Sequence, residues 1–135
     1  MLKNEYLKQW TRIVVDINQN LAKKQARFQG DNTSVRLGHI ASNLARIRTF
    51  CNSDYREAVE SVTDETLWFI EWTAAEIEPE YAEELVNIQV QLERWRLIFN
   101  NILSDDKTRA EVAEQSSVWS KRLLDMSGLL SESTV

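Results

Sequence analysis

The sequence predicts an all-α fold, an up-and-down antiparallel helical bundle of four to five helices. Three observations carry that expectation. Only three glycines and one proline occur in 135 residues, too few for the many tight turns of a strand-rich domain. Apolar residues recur at spacings of three and four along most of the chain, the period of a helix face. Hydrophobic residues make up 43% and charged residues 27%, enough to bury a core at this length and unlike a disordered chain. Residues 1–128 are read as a single helical-bundle domain and LLSESTV (129–135) as a frayed tail.

The first helix is expected from about residue 3 to 28, with Tyr6, Trp10, Ile13, Ile17, Leu21 and Phe28 on one face and Gly30 as its stop signal. QGDNTS forms the next loop. The second helix spans roughly 34–51 and turns Leu37, Ile40, Ala41, Leu44, Ile47 and Cys51 inward. Gly38 lies inside it at some cost in helix stability. Asp54 then serves as an N-cap with Glu57 three residues on, a capping-box-like start. The third helix is expected to bury Tyr55, Ala58, Val59, Val62, Phe69, Ile70, Thr73 and Ile77. Glu78-Pro79 ends it, because the residue before proline avoids the helical region while proline suits a first turn. A very short corner makes the third and fourth helices antiparallel. The fourth, about 79–103, carries Tyr81, Leu85, Ile88, Leu92, Trp95, Phe99 and Ile102 at alternating spacings of four and three, a heptad seam. Asp105, Asp106 and the pair Thr108 and Glu111 open the last helix, whose seam is Val112, Ser116, Trp119, Leu123 and Met126, and Gly128 stops it.

Two surfaces exceed what a simple bundle needs. Val86, Val90 and Leu97 form a second apolar stripe on the fourth helix, roughly 140–180° from its main seam at ~100° per residue. That back face requires either neighbours on all sides or a second subunit across a two-fold axis. On the third helix Trp72 lies roughly 100° from the centre of the core face and Trp68 roughly 140°. Trp72 is flank packing; Trp68 is either covered by a further helix or is part of an aromatic patch rimmed by carboxylates, the composition of a partner interface.

Charge is unevenly spread. Residues 1–50 hold nine Lys/Arg and three Asp/Glu, and residues 51–104 hold three Lys/Arg and twelve Asp/Glu. Such a dipole draws two halves of one bundle together or two copies head to tail. A pI of 5.0 and the adjacent acidic half argue against nucleic-acid binding by the basic residues of the first two helices. MLKNEYLKQW has no apolar signal region, no apolar run approaches the ~20 residues of a membrane span, and one cysteine builds no internal disulfide; a cytoplasmic protein that contacts no membrane is expected.

Catalytic constellations are missing from the pattern. His39 is the only histidine, so no zinc site, no paired Glu-x-x-His motif and no Ser-His-Asp or Cys-His arrangement can be assembled. No Gly-rich phosphate loop occurs. His39, Asn43, Arg46 and Phe50 line one stripe about 120° from the core of the second helix, which leaves the imidazole in solvent. The stretch GHIASNLARI resembles the phosphoacceptor helix of two-component phosphotransfer and histidine-kinase dimerisation bundles, which implies an exposed phosphoacceptor at His39. It departs from them at Ile40, where kinases place an acidic residue, and at Ser42-Asn43, where phosphotransfer domains carry Lys-Gly. The expected function is that of a non-enzymatic protein–protein interaction or adaptor module, self-associating as a homodimer, with no cofactor. Its partner-binding residues are Trp68, Trp72, Val86, Val90 and Leu97. The alternatives are a phosphotransfer bundle using His39 and a small-molecule binder with a cavity lined by Trp10, Trp95 and Trp119.

Overall fold

Helices form wherever the apolar period runs, and the computed structural model, which describes residues 2–53 and 55–128, contains six of them. They are α1 (Leu2–Gln29), α2 (Thr33–Asn52), α3 (Arg56–Ala74), α4 (Pro79–Leu97), α5 (Phe99–Ser104) and α6 (Asp106–Ser127). The class is all-α, as predicted; the count is six instead of four to five. The backbone divides into two compact units, Met1–Asp31 and Asn32–Val135. The expected tail at 129–135 and the expected N-cap Asp54 lie outside the described residues.

The first unit is α1. The helix ends at Gly30, whose N–H still donates to the Ala26 carbonyl at 3.1 Å. Along the helix Tyr6, Trp10, Ile13 and Ile17 share one face, and all four are about half-exposed. Phe28, near the end of the same face, is buried.

In the second unit each boundary has a local cause. Asn32 caps α2 by accepting the Val35 N–H at 2.9 Å, satisfying one of the orphan donors of the first turn. α3 starts one residue after Tyr55, whose backbone (φ −89, ψ 83) is outside the helix. Tyr55 therefore does not share the helix's inward face and is 64% exposed, contrary to its expected burial. Residues 75–78 make the corner before Pro79, and Glu78 (φ −56, ψ 142) has the extended backbone that a residue before proline requires. Ile77 falls in this corner and is half-buried.

The extra helix comes from a break in the expected fourth one. Ile98 (φ −123, ψ 22) leaves the helical region. Its N–H donates to the Trp95 carbonyl at 3.0 Å, a tightened last turn, and its carbonyl accepts from Asn101 and Ile102. The seam nevertheless continues across the break, with Phe99, Ile102 and Leu103 of α5 all buried. Asp105 then caps α6, accepting the Thr108 N–H at 3.1 Å and the Thr108 hydroxyl; these bonds hold its carboxyl below the usual carboxylate range. Gly128 closes α6 at φ 73, a left-handed conformation that glycine adopts without a Cβ penalty.

α2, α3, α4 and α6 form the four-helix core, packed in chain order α2 to α3, α3 to α4, and α6 back against α2. α4 and α6 meet through the stacked rings of Trp95 and Trp119, 5.0 Å apart, and through Arg122 and Glu84 at 2.6 Å. The most extensive pairing is α2 with α6. Small buried residues occur on both helices: Ala41 on α2, and Ala113, Ser116, Ser117 and Ser120 on α6. Ser120 Oγ donates across the pair to the Ala41 carbonyl at 2.7 Å. Ser116 instead donates to the Val112 carbonyl one turn back, at 2.8 Å, which satisfies its hydroxyl within its own helix.

Enlarging this seam should be worse than deleting its hydrogen bond. Ser120→Ala is expected to cost about 1 kcal/mol, while Ser120→Leu must push α2 and α6 apart and cost about 2–3 kcal/mol or more. Urea unfolding midpoints at constant slope measure both; equal losses would show that packing distance does not govern this pair.

Candidate functional site

The five expected contact residues fall on α3 and α4. Phe69, Trp72 and Trp68 form a ladder that climbs out of the core along α3. Phe69 is buried, and its ring centroid is 6.0 Å from that of Trp72. Trp72 is 8% exposed and stacks at 17° against Trp68, 6.5 Å away. Trp68, the outermost ring, is 37% exposed. The helical period explains the order, because Trp68 lies one turn before Trp72 and farther round from the core face.

Trp68 stands at a groove between α3 and α4 with a cavity of about 140 Å³. Asp64, Trp68 and Glu71 line it from α3, and Gln89, Glu93 and Arg96 line it from α4. Each triplet has spacings of four and then three, so each is a single stripe of its helix. Arg96 Nε lies 2.8 Å from Asp64 Oδ1 across the groove; the contact is one of charge, and that oxygen has no well-angled hydrogen bond. Glu71 and Glu93 have no ion-pair partner among the described residues, which leaves the groove net acidic.

Beyond the groove on α4 comes the second apolar stripe. Val86 and Val90 are nearly half-exposed and Leu97 is 85% exposed. On the wheel this stripe follows the Gln89, Glu93 and Arg96 stripe by roughly 60–90°, so the tryptophan, the acidic groove and the valines form one surface. Ile98, in the break after α4, extends it with another partly exposed side chain. Sequence reasoning picked out the tryptophans, the carboxylate rim of Trp68 and the valines but missed Gln89, Glu93 and Arg96 on α4. The signal was available in the matching i, i+4, i+7 triplets, though nothing in them says that they face each other.

The other candidates are placed as follows. His39 is exposed on α2, its ring tilted 51° to that of Phe69 at 6.5 Å. Asn43, one turn on, is buried; its amide bridges Arg46 at 2.9 Å and Glu65 at 3.3 Å. Cys51 is fully buried at the end of α2, and burial pushes its thiol up to about 11, with Arg109 opposing the shift. A thiol so raised is a packing residue and a poor nucleophile at neutral pH. Trp95 and Trp119 fill space against each other, and Trp10 lies on α1, half-exposed. Among the described residues no group of three or more His, Cys, Asp and Glu is placed to hold a metal ion, and no helix is long and apolar enough to cross a membrane.

No protein-family model, curated protein or solved structure matches the chain. The functional reading rests on its own geometry.

The Cys51 environment yields a direct check. At pH 8 the native thiol should be unreactive toward a disulfide reagent and should react fully once unfolded. The sign of its pH effect follows from the raised value: the unfolded thiol ionises from about pH 9, the folded one only near 11. Its stabilising contribution is therefore complete below pH 9 and lost between pH 9 and 11. Rapid labelling of the native protein at pH 8 would contradict the burial.

Proposed function

We propose that the chain is a non-enzymatic protein–protein interaction module, self-associating or acting as an adaptor, whose contact surface is the α3–α4 face. The observation that carries this reading is Trp68, held by stacking on Trp72 at the edge of an acidic groove, with the open Val86, Val90 and Leu97 of α4 beyond it. Partly exposed tryptophans are frequent anchors of protein interfaces, and a few such residues carry most of the binding energy. The surrounding carboxylates supply a polar rim that selects partners by charge. Pull-down from the source cells with the wild-type chain, Trp68→Ala and Val90→Glu tests it. Both variants should keep the wild-type circular dichroism and lose captured protein by at least about tenfold, the equivalent of ~1.4 kcal/mol. Undiminished capture by both variants would sink the reading.

The exposure of His39 favours a second reading, phosphotransfer through its imidazole. Phosphoryl transfer from a donor kinase to the chain, lost in His39→Gln, is the expected result; equal labelling of the two proteins removes this option.

A further inference from the structure

α1 carries an apolar surface of its own, and its period sets it apart. Leu7, Trp10, Val14, Ile17 and Leu21 follow one another at spacings of three, four, three and four, the a and d positions of a coiled coil. Leu7, Trp10, Val14 and Ile17 are each about half-exposed, and Tyr6 and Ile13 flank them with similar exposure. Tyr6 sets its ring edge-on to Trp10, with the centroids 6.3 Å apart. We infer that this seam pairs with the same seam of a second copy of the chain, so that two α1 helices form the centre of a two-fold homodimer. The inference goes beyond the α3–α4 contact reading and does not rest on it. It places self-association on α1 and leaves the α3–α4 face to a different partner.

The helix itself requires a packing partner. Five of the seven residues from Thr11 to Ile17 are β-branched, and such side chains lose χ1 freedom in a helix. Helices owe most of their stability to the packing of an apolar face, yet all seven of these residues are exposed within the chain. A partner that holds them must be present wherever the chain folds, and a second copy meets that condition.

Charge and period select the same helix as that partner. Glu5, Lys8, Arg12 and Asp16 lie roughly 130–170° from the seam at ~100° per residue, and their charges sum to zero. The flanks that face a paired helix are Tyr6, Ile13 and Asn20 on one side and Thr11, Asn18 and Gln25 on the other, all uncharged. Charged flanks choose unlike partners and repel like ones; neutral flanks let a helix meet its own copy with no like charges in contact. Thr11 donates its hydroxyl to the Leu7 carbonyl at 2.9 Å, so it brings no unpaired donor to the seam. The exposed stripe of α4, Val86, Val90 and Leu97, continues the rhythm only by passing through the exposed Glu93. Docking α1 there would press a carboxylate into an apolar seam.

Pairing a seam with its own copy also closes the assembly on a two-fold axis. The six half-open side chains offer roughly 100 Å² each, on the order of 600 Å² per copy and ~1,200 Å² for the pair, which reaches the lower edge of stable interfaces.

The test puts charge on the flanks of the full chain. Ile13→Glu with Asn18→Glu sets like charges opposite each other whether the helices run parallel or antiparallel, and Ile13→Lys with Asn18→Lys does so with the other sign. Both positions are exposed, and Glu and Lys favour a helix more than Ile and Asn do, so neither variant weakens α1 as a helix. Wild type in sedimentation equilibrium should give twice 15.7 kDa. Its dissociation constant should change little between about 50 and 500 mM salt, because no charges meet at the seam. Each variant alone should self-associate at least about tenfold more weakly, and an equimolar mixture should regain the dimer and lose it again as salt is raised. Trp68→Ala should remain dimeric.

A monomeric wild type at about 1 mM overturns the proposal; if that monomer co-sediments with phosphatidylcholine vesicles, the stripe belongs to a lipid surface. A Glu variant as dimeric as wild type overturns it, and so does a mixture that remains monomeric. A Lys variant that associates more tightly overturns it by assigning α1 to the acidic groove. Loss of the dimer in Trp68→Ala overturns it by moving self-association to the α3–α4 face. A monomeric wild type that captures a partner through Trp68 removes the α1 pair and leaves the contact-surface reading standing.

Discussion

The α2–α6 seam is the constraint from which the rest of the four-helix core follows. Small residues at Ala41 and Ser120 let two helix backbones come close enough for a hydroxyl to reach a main-chain carbonyl on its neighbour. Close approach on one side of a bundle leaves more volume to fill elsewhere, since interiors pack to nearly constant density. The large side chains supply it: Ile70 from α3, Leu85, Ile88 and Leu92 from α4, and the Trp95–Trp119 stack between α4 and α6. The hydroxyls that this arrangement buries are mostly satisfied inside their own helices. Ser116, Thr66 and Thr73 each donate to the carbonyl four residues earlier, so their polarity costs little. Thr63 differs, with a buried hydroxyl that has no partner among the described residues.

Charge then fixes how the core's outer edges meet. Arg36 of α2 is buried and pairs with Glu76 in the corner between α3 and α4, so losing the carboxylate would take a charge partner from a buried cation. Asp64–Arg96 links α3 to α4, and Glu84–Arg122 links α4 to α6. The latter two are partly exposed and contribute little stability individually. Each joins oppositely charged positions on neighbouring helices, on either flank of the buried seam Leu85, Ile88 and Leu92 that turns inward and leaves Val86, Val90 and Leu97 outside.

Elements marked by backbone chemistry were legible in the sequence. Pro79, Gly30, Gly128 and Asp105 each act through a steric or hydrogen-bonding property of one residue, so they end or begin helices in any tertiary context. Seams were legible for a related reason: Leu85, Ile88 and Leu92 recur with the helical period and are all buried. The break at Ile98 was not legible. Isoleucine neither lacks an N–H nor favours that conformation, so no local signal marks the departure, which stands beside the buried Phe99, Ile102 and Leu103. Asn43 read as polar surface and Ser120 fell outside the expected seam, yet both are buried through partners that periodicity does not register: Glu65 and Arg46 for the amide, the Ala41 carbonyl for Ser120. The groove was invisible for the same reason. Two stripes on two helices become one site only when the helices are placed side by side.

The tryptophan pair shows why burial alone separates core from contact poorly. Trp72 is anchored below by Phe69, and it holds Trp68 from beneath by a nearly parallel stack. A lone surface tryptophan loses rotamer freedom when a partner covers it, at ~0.5–1.5 kcal/mol per immobilised side chain. Trp68 has already given up much of that freedom in folding, because leaving its rotamer means breaking the stack. The same stack that extends the core outward therefore preorganises the Trp68 ring, which suits the proposed contact role. Preorganisation also explains the shape of the site: a rigid aromatic edge, an acidic groove and an aliphatic stripe, each on a regular helix and none on a loop. On the proposed contact reading, a surface built this way would suit a matching helical surface better than a flexible peptide, since regular helices have little capacity to remodel around an occupant.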